Sequence, residues 1–78
     1  MLKNQIRAFV TSNFYVDPTT LKDEQSLLDS GVIDSTGVLE MIAFIEETFG
    51  FIVDDMEMLP ENLDSIDRIA NFVARKKV

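Results

Sequence analysis

The chain has no cysteine, no histidine and no tryptophan, and it has only three glycines and two prolines in 78 residues. Without cysteine there are no disulfide staples and no thiolate metal sites, and without histidine the commonest general base and the commonest zinc ligand are gone. So few glycines and prolines leave no flexible linker, repeat or low-complexity tract, and residues 1–78 read as a single domain. Long apolar runs are missing too. Nothing approaches the roughly 20 residues that span a bilayer, and Met1-Leu2-Lys3-Asn4-Gln5 is not followed by a signal-type apolar stretch. The expected location is the cytosol, with no membrane insertion.

Positive charge is absent from most of the chain. The basic residues are Lys3, Arg7, Lys22, Arg68, Arg75, Lys76 and Lys77, so nothing between Asp23 and Asp67 is positive, yet that stretch holds every acid except Asp17. The net charge is -7. Phosphate backbones and anionic lipids need the opposite sign, so nucleic acid is excluded as a natural partner and membrane is disfavoured. A basic protein surface fits, since complementary charge raises encounter rates more than final affinity. A merely soluble acidic surface accounts for the same charge.

What is present is apolar and periodic. With 46% hydrophobic residues and a mean hydropathy of +0.09, the chain can fold. A domain of this size buries only about 60% of its unfolded surface, so an enclosed active site is hard to build. Paired carboxylates exist, but nothing would shield them from water and shift their pKa. No catalytic residue is expected. Asp54-Asp55-Met56-Glu57 lacks the alternating oxygen ligands and central glycine of a calcium loop, and no metal site is expected.

The periodicity predicts an all-α chain with three principal helices. The first covers roughly Leu2 to Phe14, burying Leu2, Ile6, Phe9, Val10 and Asn13-Phe14, with Lys3, Asn4, Arg7 and Thr11 turned outward. Asp17-Pro18 prevents its continuation. From Tyr15 to Asp34 no helical period persists, though Leu21, Leu27, Leu28, Val32 and Ile33 are apolar enough to be pinned to the core, and Gly31 supplies a turn. Structureless loops longer than about 12 to 15 residues are uncommon and often functional.

The second helix, roughly Ser35 to Phe49, places Val38, Ile42, Ile45 and Phe49 on one face with Met41 beside them. Leu39 and Phe44 lie off that stripe, which predicts packing against two neighbours, and Thr36, Glu40, Ala43 and Glu47 form an exposed side. Gly50 reads as the residue just past the helix end. A single turn is expected in the acidic stretch Asp54 to Leu59, ended by Pro60. The last helix starts at Asp64-Ser65, buries Ile66, Ile69, Ala70 and Val73 with Phe72 near the edge, and ends on Arg75, Lys76 and Lys77, which favour the negative end of the helix dipole.

Ser35 is the candidate functional residue. It stands at the start of the second helix, where unpaired amides and the dipole favour an attached anion. Asp34 or Ser35 as an ordinary N-cap, contributing about 1 kcal/mol, explains the dipeptide equally well. Asp-Ser also occurs at Asp29-Ser30 and Asp64-Ser65, so two letters choose no site.

The wider context chooses. Leu28-Asp29-Ser30-Gly31-Val32-Ile33-Asp34-Ser35-Thr36-Gly37-Val38-Leu39-Glu40, then Ile45-Glu46-Glu47-Thr48-Phe49-Gly50 and Ile52-Val53-Asp54, resembles the acyl carrier and peptidyl carrier protein family over essentially the whole chain. The resemblance implies a four-helix carrier with one short helix. It implies 4'-phosphopantetheine, taken from coenzyme A by a phosphopantetheinyl transferase that positions Mg²⁺ and joined to Ser35 as a phosphodiester. The arm ends in a thiol that holds an acyl or aminoacyl group as a thioester, so a chain without cysteine can still do thiol chemistry.

On the same resemblance, Asp34 orients the serine or meets the metal. Thr36, Leu39, Glu40, Ala43, Glu46 and Glu47 then meet partner enzymes: the transferase, a loading ligase and a downstream acyltransferase or synthase of fatty acid, polyketide or aminoacyl metabolism. The chain would work as a monomer. Thr36 stands where Leu or Met is usual, and Gly37 follows it. A glycine early in a helix costs roughly 1 kcal/mol relative to alanine, and here it is read as permitting close approach of a partner. The spacing Gly-x-x-Asp-Ser-x-Gly is similar to stand-alone aminoacyl carriers, D-alanyl carriers among them, and Val53 in place of a proline common in fatty acid members points the same way. The alternative is an unmodified acidic helical adaptor for a basic protein partner, which would tolerate alanine at Ser35.

Overall fold

The computed structural model describes residues 2–14 and 16–77, and Tyr15, where the expected loop opens, lies outside the described residues. Four α-helices follow in order: α1 (Leu2–Asn13), α2 (Ser35–Phe49), α3 (Pro60–Leu63) and α4 (Ile66–Lys76), with one 3₁₀ turn at Asp55–Glu57 before α3. No strand occurs among the described residues. The molecule is a small all-α, four-helix bundle.

Each long helix contributes most of the stripe its spacing predicts, although Leu2, Phe9, Phe14 and Val38, expected to be buried, are half-buried and pack against the core. Ile6 and Val10 of α1, Met41, Ile42, Ile45 and Phe49 of α2, and Ile66, Ile69, Ala70 and Val73 of α4 are buried in one cluster. Leu21, Leu27, Ile33, Val53 and Leu63 join it from the connections and α3. Burying such a side chain contributes about 1.5–3 kcal/mol, so the loops are held by the same core as the helices.

Several expectations are corrected. Phe72 is buried at 2% exposure rather than at the edge, because α4 packs closely on both α1 and α3 and so buries a wide arc. Leu28 is exposed at 39%. Leu39, at 65%, stands in solvent instead of forming a second interface. Asn13 is exposed, its amide bonding the Phe9 carbonyl one turn back. Arg7 is half-buried and pairs with Asp23, clasping the long loop to α1. Pro60 opens α3 rather than ending a turn; its fixed φ and missing N–H suit the first position of a helix.

The chain's few cations clamp its ends together. Lys3 pairs with Asp67. Lys77 Nζ donates to the Phe49 carbonyl at the end of α2, and Gly50, at φ 77°, donates its N–H to the Glu46 carbonyl to close that helix. Lys76 Nζ donates to Glu57 Oε1 at 2.9 Å, and the same oxygen accepts the Asp54 N–H at 3.0 Å. The backbone bond from Asp54 and then Lys76 hold the Glu57 carboxyl below the usual carboxylate range. A carboxyl whose folded pKa is depressed contributes its stability in full above its unfolded pKa and loses it as pH falls through the folded value. Glu57→Gln should therefore lower the urea midpoint at neutral pH, with the deficit against wild type shrinking as the solution is brought towards about pH 3. A deficit independent of pH would assign the effect to packing.

Candidate functional site at the start of α2

Asp34 is the N-cap of α2. Its backbone is extended (φ -101°, ψ -174°), and its Oδ1 accepts the Gly37 N–H at 2.8 Å. With Asp34 in that role, Ser35 is left as the first helical residue, exposed to solvent. Its hydroxyl forms no hydrogen bond among the described residues. The other two Asp-Ser serines differ. Ser65 is only 3% exposed and caps α4, its Oγ accepting the Arg68 N–H. Ser30 is exposed, with its hydroxyl directed at the Leu27 carbonyl across a long 3.5 Å.

The position of Ser35 is set from three sides. Ile33, buried at 4%, anchors the chain two residues earlier, and its N–H donates to the Leu27 carbonyl. Asp64 ties down the loop itself: its carboxylate accepts from Ser26 Oγ at 2.6 Å and Leu28 N at 2.9 Å, while its carbonyl accepts from Leu27 N at 2.8 Å. Gly31, at φ 79°, turns the chain back towards α2. The third side is Gly37. It is buried, and a Cβ added there would lie 2.9 Å from both Ile33 Cγ2 and Phe14 Cε1. The close approach that this glycine permits is therefore internal, between α2 and the end of α1, and not with a partner.

Around Ser35 the surface is acidic and open. Thr36, Leu39, Glu40, Ala43 and Glu47 are exposed. Glu46 holds the backbone instead, its Oε2 accepting the Val53 N–H at 2.9 Å and fixing the segment that follows α2. Sequence spacing groups it with Glu47 and gives no sign of this bond. Beside Val38, one turn past Ser35, lies an apolar groove of about 120 Å³ lined by Leu28, Val38, Met58, Leu59 and Leu63. In the sequence Met58 and Leu59 belong to an acidic stretch, and no periodic signal there marks the groove they help form. Among the described residues no cluster of three or more acidic side chains could hold a metal ion.

The Ser35 hydroxyl is exposed and forms no hydrogen bond among the described residues, so it is open to covalent attachment of a group. The sequence matches the family described as phosphopantetheine attachment site over residues 4–73. The chain belongs to that family. Its members carry 4'-phosphopantetheine, and the site fits the group: the hydroxyl is accessible, the adjoining amides favour a phosphate, and no side chain covers it. Such a protein is a carrier, and the reactions are those of its partners. A D-alanyl carrier protein from Abiotrophia defectiva is 35% identical over 51 residues, a match that covers 65% of this chain and 65% of that protein. Among the described residues no helix is long and apolar enough to cross a membrane.

Proposed function

We propose that Ser35 receives the phosphopantetheine arm and that the chain presents an acyl or aminoacyl group on it to partner enzymes in the cytosol. The observation that carries this reading is the exposure of Ser35 without a hydrogen-bond partner among the described residues, directly after a capping Asp34. The arm supplies a thiol, on which cargo is held as a thioester. This chain's own residues do the rest. Asp34 Oδ1 is committed to the Gly37 N–H, which keeps the first turn wound and the Ser35 hydroxyl pointed outward. The second carboxylate oxygen accepts no bond from the described residues and can meet a divalent cation held by the transferase. As the Ser35 oxygen bonds to phosphorus, the pyrophosphate bond of coenzyme A breaks, 3',5'-ADP leaves, and the hydroxyl proton passes to the transferase.

The likeness to a D-alanyl carrier protein supports an aminoacyl group. The partners proposed are a phosphopantetheinyl transferase, a loading ligase and a downstream acyltransferase or synthase, each meeting the acidic surface with a basic one. Incubation with coenzyme A, Mg²⁺ and a promiscuous transferase should add one phosphopantetheinyl group, read as intact mass. A folded sample that gains nothing would leave the acidic adaptor as the better description.

A further inference from the structure

The carboxylates of this chain are not all used alike. Asp23, Glu57 and Asp67 pair with cations. Asp64, at the junction of α3 and α4, takes hold of the long loop that leads to Ser35. Its Oδ1 accepts the Leu28 N–H at 2.9 Å and its Oδ2 the Ser26 hydroxyl at 2.6 Å, across 36 and 38 positions of sequence. Ser26 Oγ in turn accepts the Asp29 N–H at 3.0 Å, so the backbone is pinned on both sides of Leu28.

The Leu28 N–H and the Leu27 carbonyl belong to one planar peptide group. That carbonyl accepts the Ile33 N–H at 3.1 Å, and the group is therefore held between an anion and Ile33. A hydrogen bond to a carboxylate is about twice as strong as a neutral one, and an amide whose N–H is bonded in this way becomes a better acceptor at its carbonyl. Ile33 is buried, and Asp34, which caps α2, comes next, with Ser35 directly after it. Three steps thus lead from the Asp64 carboxylate to the Ser35 hydroxyl: the peptide between Leu27 and Leu28, then Ile33, then the Asp34 cap. The start of α4 has no need of that carboxylate, since Ser65 caps it by accepting the Arg68 N–H.

We propose that Asp64 is a positioning residue for the modification of Ser35, acting through this relay; the inference rests on the reading of Ser35 as the attachment site. Without the carboxylate the loop still belongs to the core, through the buried Leu21, Leu27 and Ile33 and through the Leu27 N–H on the Asp64 carbonyl. The chain therefore folds. The peptide that holds Ile33 loses its anchor on the other side, however, and the Ser35 hydroxyl is spread over a wider range of positions. Its oxygen must meet phosphorus as 3',5'-ADP leaves coenzyme A, and a misplacement of about 1 Å can slow such a step by up to about a hundredfold. The exposed residues of α2 that lie around Ser35 take no part in the clasp. The loss should accordingly fall on kcat and spare KM.

The test follows arm transfer from coenzyme A by a promiscuous transferase with Mg²⁺, read as intact mass over a range of carrier concentrations. Asp64→Ala should lower kcat by about tenfold at an unchanged KM for the carrier. Asp64→Asn should recover most of the rate, because its carbonyl oxygen can still accept the Leu28 N–H and its amide can donate to Ser26 Oγ. In the unmodified Asp64→Ala chain the amide signals of Leu28, Ile33, Asp34 and Ser35 should shift, while that of Val53, held by Glu46, stays in place. A purely structural role would empty the folded state instead, raising the apparent KM and leaving kcat intact. That pattern, an Asp64→Asn chain as slow as Asp64→Ala, or unmoved Ile33 and Ser35 signals would each overturn the proposal. A wild-type chain that takes up no arm would defeat the Ser35 reading and this role with it, whereas failure of the Asp64 role alone leaves modification of the wild type intact.

Discussion

Ser35→Ala should fold as well as wild type and take up no phosphopantetheine. The structural cost is small because the helix cap belongs to Asp34, whose Oδ1 holds the Gly37 N–H, and because the Ser35 hydroxyl bonds nothing among the described residues. At the first helical position the interior advantage of alanine over serine does not apply, so the urea midpoint should stay level. The functional cost should be complete, since neither of the other two Asp-Ser serines stands exposed at the start of a long helix. Ser65 is buried, its oxygen capping α4. Ser30 lies in a turn of the loop, away from any long helix start. Intact mass and a denaturation curve on the same sample decide the matter. Modification that survives the substitution would move the site to another serine, and loss of the fold would mean that Ser35 is structural.

Features that depend on neighbours along the chain are legible in the sequence. The stripes of α1, α2 and α4 are readable because helical spacing alone brings Ile6 to Val10, Ile42 to Ile45 and Ile66 to Ile69 onto single faces. The same holds for Gly50 as the end of α2 and for an exposed residue at position 35. Features set by distant partners are not legible. Leu28 has the composition of a core residue, yet its backbone is held by a carboxylate 36 positions away, and that clasp leaves its side chain outside. Phe72 looks marginal on a helical wheel because the wheel assumes one neighbour, whereas α4 has two. Among the three Asp-Ser pairs the sequence context already singles out Ser35, and burial and hydrogen bonding add, in three dimensions, what sets it apart from Ser65.

Gly37→Val should destabilise the chain by about 2–3 kcal/mol, close to the upper end for overpacking a core. Helix propensity alone points the other way, because replacing a helical glycine by alanine ordinarily gains about 1 kcal/mol. Here the first added carbon already falls 2.9 Å from Ile33 Cγ2 and from Phe14 Cε1. The Phe14 ring edge can swing away at modest cost. Ile33 cannot, since it is buried, branched at Cβ and directly followed by the capping Asp34. Alanine should thus come out near neutral, its helix gain offset by the clash. Valine adds two further methyls with almost none of that gain, so the clash wins. Strain at Ile33 is passed to Asp34 and Ser35, and modification by the transferase should slow even at temperatures where the variant is folded. In a Phe14→Ala background the space beside Gly37 opens, and Gly37→Ala should then become stabilising, a coupling that a double-mutant cycle reads directly. Full stability of Gly37→Val would show that the α1–α2 contact is looser than its geometry indicates, and would return this glycine to a role in approach by a partner.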